Sequence, residues 1–220
     1  EYLLVIGFLV VLVPFWLLLT RSEAAVAVAQ PVTAGAGNGS VGSPWFALSD
    51  GLFFHPGHAW VRRDGPDLVR VGVDDFAQKL LGWPTAISLP RVGDHLEQGG
   101  DGFALEVDHE AFDLVSPIEG EVVARNQEVL DRPHLLNEDP YGAGWLLEVK
   151  VPRLDHKLKN LLSDRTARAW MAEAETEVRE RMAPELGPVM QDGGVPVSGF
   201  ARQLDPDRWQ ELARQLLLCG

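Results

Sequence analysis

The sequence predicts a mainly β domain with helices, preceded by one transmembrane helix and followed by a helical C-terminal extension. Three observations lead there. The chain opens on nineteen uncharged residues, Tyr2 to Thr20. Short strands separated by Gly/Pro turns fill the middle. Helix formers with few breakers dominate the region from about residue 153. Among the 220 residues, 46% are hydrophobic, 32 are acidic and 19 are basic, a net charge of −13. That balance argues against a nucleic-acid partner, which needs a basic surface. A single cysteine, Cys219, excludes an intramolecular disulfide and any multi-cysteine metal site.

As a helix, Tyr2 to Thr20 is about 28 Å long, close to the hydrocarbon thickness of a bilayer. Tyr2 and Trp16 lie near its ends, where aromatic rings favour the interface, and Pro14 is tolerable within a span. AVAVAQ (25–30) resembles a signal-peptide cleavage site, but the apolar run exceeds a usual signal core. Residues 1–22 are therefore expected to be an uncleaved anchor. Arg21, on the C-terminal side, places the soluble domain in the cytoplasm, with the periplasm as alternative. Residues 23–50, with GAGNGS at their centre, read as a flexible linker.

Residues 51–152 read as the β domain. LVRVGV (68–73) alternates, with Val69, Val71 and Val73 on one face. TAISL, GFALEV, EGEVVAR and WLLEVKV follow as strands, separated by PRVGD, SPIEG and DPYG. DDFAQKLLG is the helical insertion: Phe76, Leu80 and Leu81 share a face and Gly82 stops it. The domain holds 18 acidic and 8 basic residues, which suits a solvated or partner-facing surface better than acid–base catalysis.

HAWVRRDG, VGVDDFAQKLLG, SLPRVGD, SPIEGEVVARN and LLNEDPYGAGWLLEV occur in that order. Together they resemble the glycine cleavage system H protein family of lipoyl carriers, over about Phe54 to Val151. The most specific piece is Asn137, Asp139, Pro140, Tyr141, Gly142, Gly144 and Trp145. The resemblance implies a barrel-sandwich hybrid fold with a C-terminal helix. It also implies a lysine at a hairpin tip that carries lipoate as an amide, which forms only on a primary amine. Anchoring on Glu106, Asp113 and Pro117 puts His109 at that position. The lysines are Lys79, Lys150, Lys157 and Lys159, so none falls between 80 and 149. The chain thus resembles a degenerate family member, with Asp108 and Glu110 making the tip acidic around His109.

His109 with its neighbours is an unpromising metal site, since consecutive strand residues alternate faces. His55 and His58 have ligand-like spacing, but His58 is a family position and reads as structural. No phosphate loop, nucleophile elbow or nucleophile–base pair is present. No catalytic residue, metal ligand or cofactor is expected.

Residues 153–220 form the extension. Leu154, Leu158, Leu161 and Leu162 share one helical face, as do Ala167, Trp170, Met171 and Ala174. Ser163–Asp164 reads as a cap that divides the stretch into two helices. EAETEVRER (173–181) reads as solvent-exposed. Pro184 to Phe200 form a Pro/Gly-rich strap, and Asp205–Pro206 open a last helix with Asp as cap. Its apolar face, Trp209, Leu212, Ala213, Leu216 and Leu217, packs on its own domain or docks on a partner or membrane. Trp209, Leu212, Leu216 and Leu217 are the partner-docking candidates.

These readings add up to an expected non-catalytic, membrane-anchored accessory subunit of a larger membrane complex, respiratory or photosynthetic, with the β domain as scaffold. Its partners would be other subunits and, through residues 2–20, the bilayer. Two alternatives stand beside it. One is a lipoyl-type carrier of a glycine-cleavage-like system. The other is a metal- or ligand-binding module centred on His109.

Overall fold

A computed structural model describes residues 45–186 and 196–218. The expected span and most of the expected linker lie outside these residues. Within the linker range, Trp45 and Phe46 are buried core residues, so the folded region begins before residue 51. Large aromatic side chains gain too much from burial to remain in a tether.

The β domain consists of two antiparallel sheets. The larger contains β1 (Phe53–His55), β2 (Ala59–Arg63), β3 (Leu68–Val73), β5 (His95–Leu96), β8 (Gly120–Arg125), β9 (Leu147–Lys150) and β10 (Leu162–Ser163), in the order β10-β1-β2-β3-β9-β8-β5. The smaller contains β4 (Ala86–Ser88), β6 (Asp101–Val107) and β7 (Glu110–Val115), in the order β4-β6-β7. The expected alternation of β3 is observed: Val69, Val71 and Val73 are fully buried, while Leu68 and Arg70 are half-buried. Gly72 is buried for a different reason. A Cβ there would lie 2.5 Å from the Trp60 ring, so only glycine lets the indole lie across β3. Trp60 Nε1 donates to Val73 O and to Pro140 O, both at 3.0 Å, which satisfies the one polar atom of a buried ring.

Helix α1 (Asp75–Leu81) follows β3. Asp74 caps it by accepting from Ala77 N at 2.9 Å, and Gly82, at φ 96°, ends it. Short helices α2 (Gln127–Asp131) and α3 (Leu135–Glu138) precede the DPYG turn. Asn137 joins α3 to α1: its Nδ2 faces Gln78 Oε1 at 2.8 Å, Gly82 O at 3.0 Å and Gln78 O at 3.3 Å. Three acceptors around one amide nitrogen predict a loss of about 1–3 kcal/mol for Asn137→Ala. Asn137→Asp should cost more, because a carboxylate would face only acceptors. Urea unfolding of the two variants tests the order. Tyr141 OH accepts from Asp75 N at 3.0 Å and donates to Ala47 O at 2.6 Å, tying the DPYG turn to α1 and to the start of the folded region.

In the extension, α4 (Leu154–Lys157) and a 3-10 turn precede one long helix, α5 (Asp164–Leu186, 23 residues). The stretch 173–181 is less exposed than its polarity suggests. Val178 is fully buried and Glu175 is buried beside its i+4 partner Arg179. A short helix, α6 (Ala201–Leu204), follows the strap. The last helix, α7, runs Trp209–Leu217 and starts later than Asp205–Pro206 implies. Asp205 Oδ1 instead accepts from Arg208 N at 3.0 Å in the turn that leads into it.

Candidate functional site

Strands β6 and β7 pair in register from Ala104–Asp113 to Val107–Glu110 and leave a two-residue turn, Asp108–His109. Both turn residues have positive φ, 53° and 69°. Tight hairpins favour such a turn because it matches the right-handed twist of the strands. Glycine and asparagine occupy it most cheaply, and Asp and His are among the side chains that tolerate it. Phe103, Leu105, Val107, Phe112 and Leu114 point into the core. Asp108 and His109 are exposed at the tip. The structure therefore places His109 at the end of a projecting hairpin.

The expected acidic tip is corrected by two arginines from the C-terminal extension. Arg202 Nε donates to Asp108 Oδ2 at 2.9 Å, and its Nη2 bonds the same oxygen. Arg214 Nη2 donates to Glu110 Oε2 at 3.2 Å and to Ala111 O at 3.3 Å. The Trp209 ring lies 5.5 Å from Phe112, with the Arg202 guanidinium 4.0 Å above the Trp209 ring. These contacts span 94 to 104 positions of sequence, so no local pattern signals them. The two adjacent carboxylates were the available hint that cations would be needed. Trp209, Leu216 and Leu217 are buried in the chain's own core, and Leu212 packs against it partly buried. Their apolar surface thus faces this chain.

A second cluster surrounds His58. Its Nδ1 lies 2.9 Å from Asp74 Oδ2, and its ring stacks on Phe76 at 4.1 Å. His58 is buried and packs between Phe76 and Trp170, as a structural residue does. His55 Nδ1 accepts from Gly57 N at 3.0 Å. Burial, then the neighbouring His58, lower the pKa of His55 below 6.5. The unfolded chain therefore binds this proton more readily, and stability falls as pH drops below 6.5 toward the folded-state value. His55→Gln should flatten that part of the stability–pH curve, read by thermal melts between pH 5 and 7. Among the described residues, no three His, Cys, Asp or Glu side chains converge as metal ligands. The reading of a metal module at His109 therefore gains no ligand set.

A lipoyl amide does not fit the tip. The group there is an imidazole between two paired carboxylates, and no lysine occupies residues 80–149. Lys79 Nζ is bound by Trp45 O at 3.0 Å and Asp75 Oδ2 at 2.8 Å on α1. Lys150 faces Asp67, and Lys157 pairs with Glu119.

A family-wide pattern described as "Glycine cleavage H-protein" matches residues 52–174. The chain belongs to this family. A glycine cleavage system H protein of Mycobacterium avium is 46% identical over 100 residues, which are 46% of this chain and 76% of that protein. One from Xylella fastidiosa is 39% identical over 112 residues, 51% of this chain and 85% of the relative. The crystal structure of a glycine cleavage system H protein from Mycobacterium marinum superposes with a TM-score of 0.50 at 29% identity. The match covers 57% of this chain and 98% of that one.

These relatives overturn the expected membrane-anchored accessory subunit and its membrane localisation, because each is named as a glycine cleavage system H protein. A membrane complex and a bilayer partner lose their support with it. Among the described residues, no helix is long and apolar enough to cross a membrane. The physical source of the error is clear for the C-terminal helix. Its apolar face meets the H-protein-family domain of the same chain, so its hydrophobicity does not require a lipid or a foreign subunit.

Proposed function

We propose that this chain serves as an H-protein-type component of a glycine-cleavage-like system, recognised by the enzymes of that system and catalysing nothing itself. One observation carries the reading. The chain matches a solved H protein over 98% of that protein's length, and its β domain has a hairpin with a two-residue turn. An H protein takes part by being recognised and by carrying lipoate. The shared fold supports the first role; the second lacks an acceptor at the tip, since the imidazole of His109 offers no amine for the amide.

Competition binding tests the reading. A purified glycine decarboxylase-type enzyme is loaded with a fluorescent lipoylated H protein, and the full chain is titrated in. Saturable displacement is expected. No displacement at large excess would remove this chain from the system.

A further inference from the structure

The matched family region ends at residue 174, so α6 and α7 lie beyond it. Both attach to the hairpin, and the segment from Gly199 to Arg202 also attaches to the end of α1. Gly199 N donates to Lys79 O at 2.7 Å, and Arg202 Nη1 donates to Leu81 O at 2.8 Å. These bonds satisfy carbonyls that the last turn of α1 leaves open. The approach is close: a Cβ on Gly82 would lie 3.2 Å from Gly199 Cα. Arg202 thus holds the end of α1 with one nitrogen and Asp108 with two others.

The hairpin has reason to need such support. Strand β7 is the edge of a three-stranded sheet, and an edge exposes unpaired backbone groups to other strands. Arg214 donates to one of its carbonyls, that of Ala111, while Trp209 packs on Phe112 from the same strand. The turn itself consists of two side-chain-bearing residues at positive φ, a conformation that free chains avoid.

We propose that α6–α7 is a clasp that fixes the β6–β7 hairpin against α1. It holds the tip as a rigid projection and closes the β7 edge. Its polar half is Arg202–Asp108 and Arg214–Glu110, and its apolar half is Trp209 on Phe112. A protein that reads the tip meets a composite surface, built from the hairpin and the extension together, with its charges already paired. This separates the tip from a free arm, whose residues would order only on contact.

Hydrogen–deuterium exchange on the full chain tests the clasp. Arg202→Gln/Arg214→Gln should speed exchange of amides 105–112 by roughly three- to tenfold, the scale expected for two partly exposed ion pairs. Exchange in β2, β3 and β9 should stay unchanged. Arg214→Glu alone should also speed the hairpin, and adding Glu110→Arg should recover most of the lost protection. Raising salt on the wild-type chain should act in the same direction as the double variant. Unchanged hairpin exchange in the double variant would overturn the proposal. A uniform increase across the whole domain would overturn it too, since that marks general destabilisation. Failure here leaves the binding competition untouched, because that assay measures recognition and not rigidity.

Discussion

His109→Lys is expected to turn this chain into an acceptor of lipoate when it is produced with a lipoyl-attaching enzyme. The scaffold around the position is in place: β6 and β7 stay in register up to the turn, and residue 109 is exposed at its tip. What the wild-type tip lacks is a nucleophilic primary amine on a long aliphatic stem, which lysine supplies. The effect is close to all-or-none and is read from the mass of the tryptic peptide spanning the hairpin. Adding Arg202→Gln and Arg214→Gln should raise the rate of modification, because a modifying enzyme must seat the tip within its own active site. A His109→Lys chain that folds normally and stays unmodified with and without the two arginine changes would show that position 109 is not the family's carrier position.

Trp60→Ala is expected to have the largest effect on stability, about 3–5 kcal/mol. The ring is fully buried, rests on Gly72 and lies close to Tyr141. Its loss would leave a cavity between β2, β3 and the DPYG turn. It would also free two carbonyls, Val73 O and Pro140 O, from their shared donor. Filling the cavity by moving β3 is blocked by the ladder on its other side, where β3 pairs with β9. Guanidinium unfolding should show the midpoint falling with little change in slope. Trp60→Phe should recover part of the loss, since it restores ring volume and leaves the carbonyls without the indole donor.

The β domain was legible because its signals are local. The valines of LVRVGV alternate as the pleat requires, and Asp74 and Gly82 bracket α1 as cap and stop. The motif from Asn137 to Trp145 is a set of turn and packing residues whose partners explain its composition: Asn137 on α1, Pro140 O under the Trp60 indole N–H, Tyr141 on Asp75 and Ala47. The assignment of His109 to the carrier position came from the family resemblance and not from a local signal; the structure places the residue in the β6–β7 turn.

The extension was read poorly because its contacts are long-range. Arg202 and Arg214 are unremarkable in their own helices and acquire meaning only beside Asp108 and Glu110, about a hundred positions earlier. The apolar stripe of α7 identified a buried face, yet a stripe does not say what buries it. Trp45 and Phe46 were hidden by the Gly-rich residues before them, and Val178 by the charges around it. Asp205–Pro206 carried a valid helix-start pattern, and the chain used it for the turn before α7 instead.

The central claim is that this member of the H-protein family keeps the architecture without an acylated tip. Intact-mass measurement of the full chain, isolated from cells that lipoylate an ordinary H protein made alongside it, tests this directly. The account predicts an unmodified chain beside a fully modified control. A lipoyl adduct on this chain, mapped to any residue of the hairpin, would contradict it.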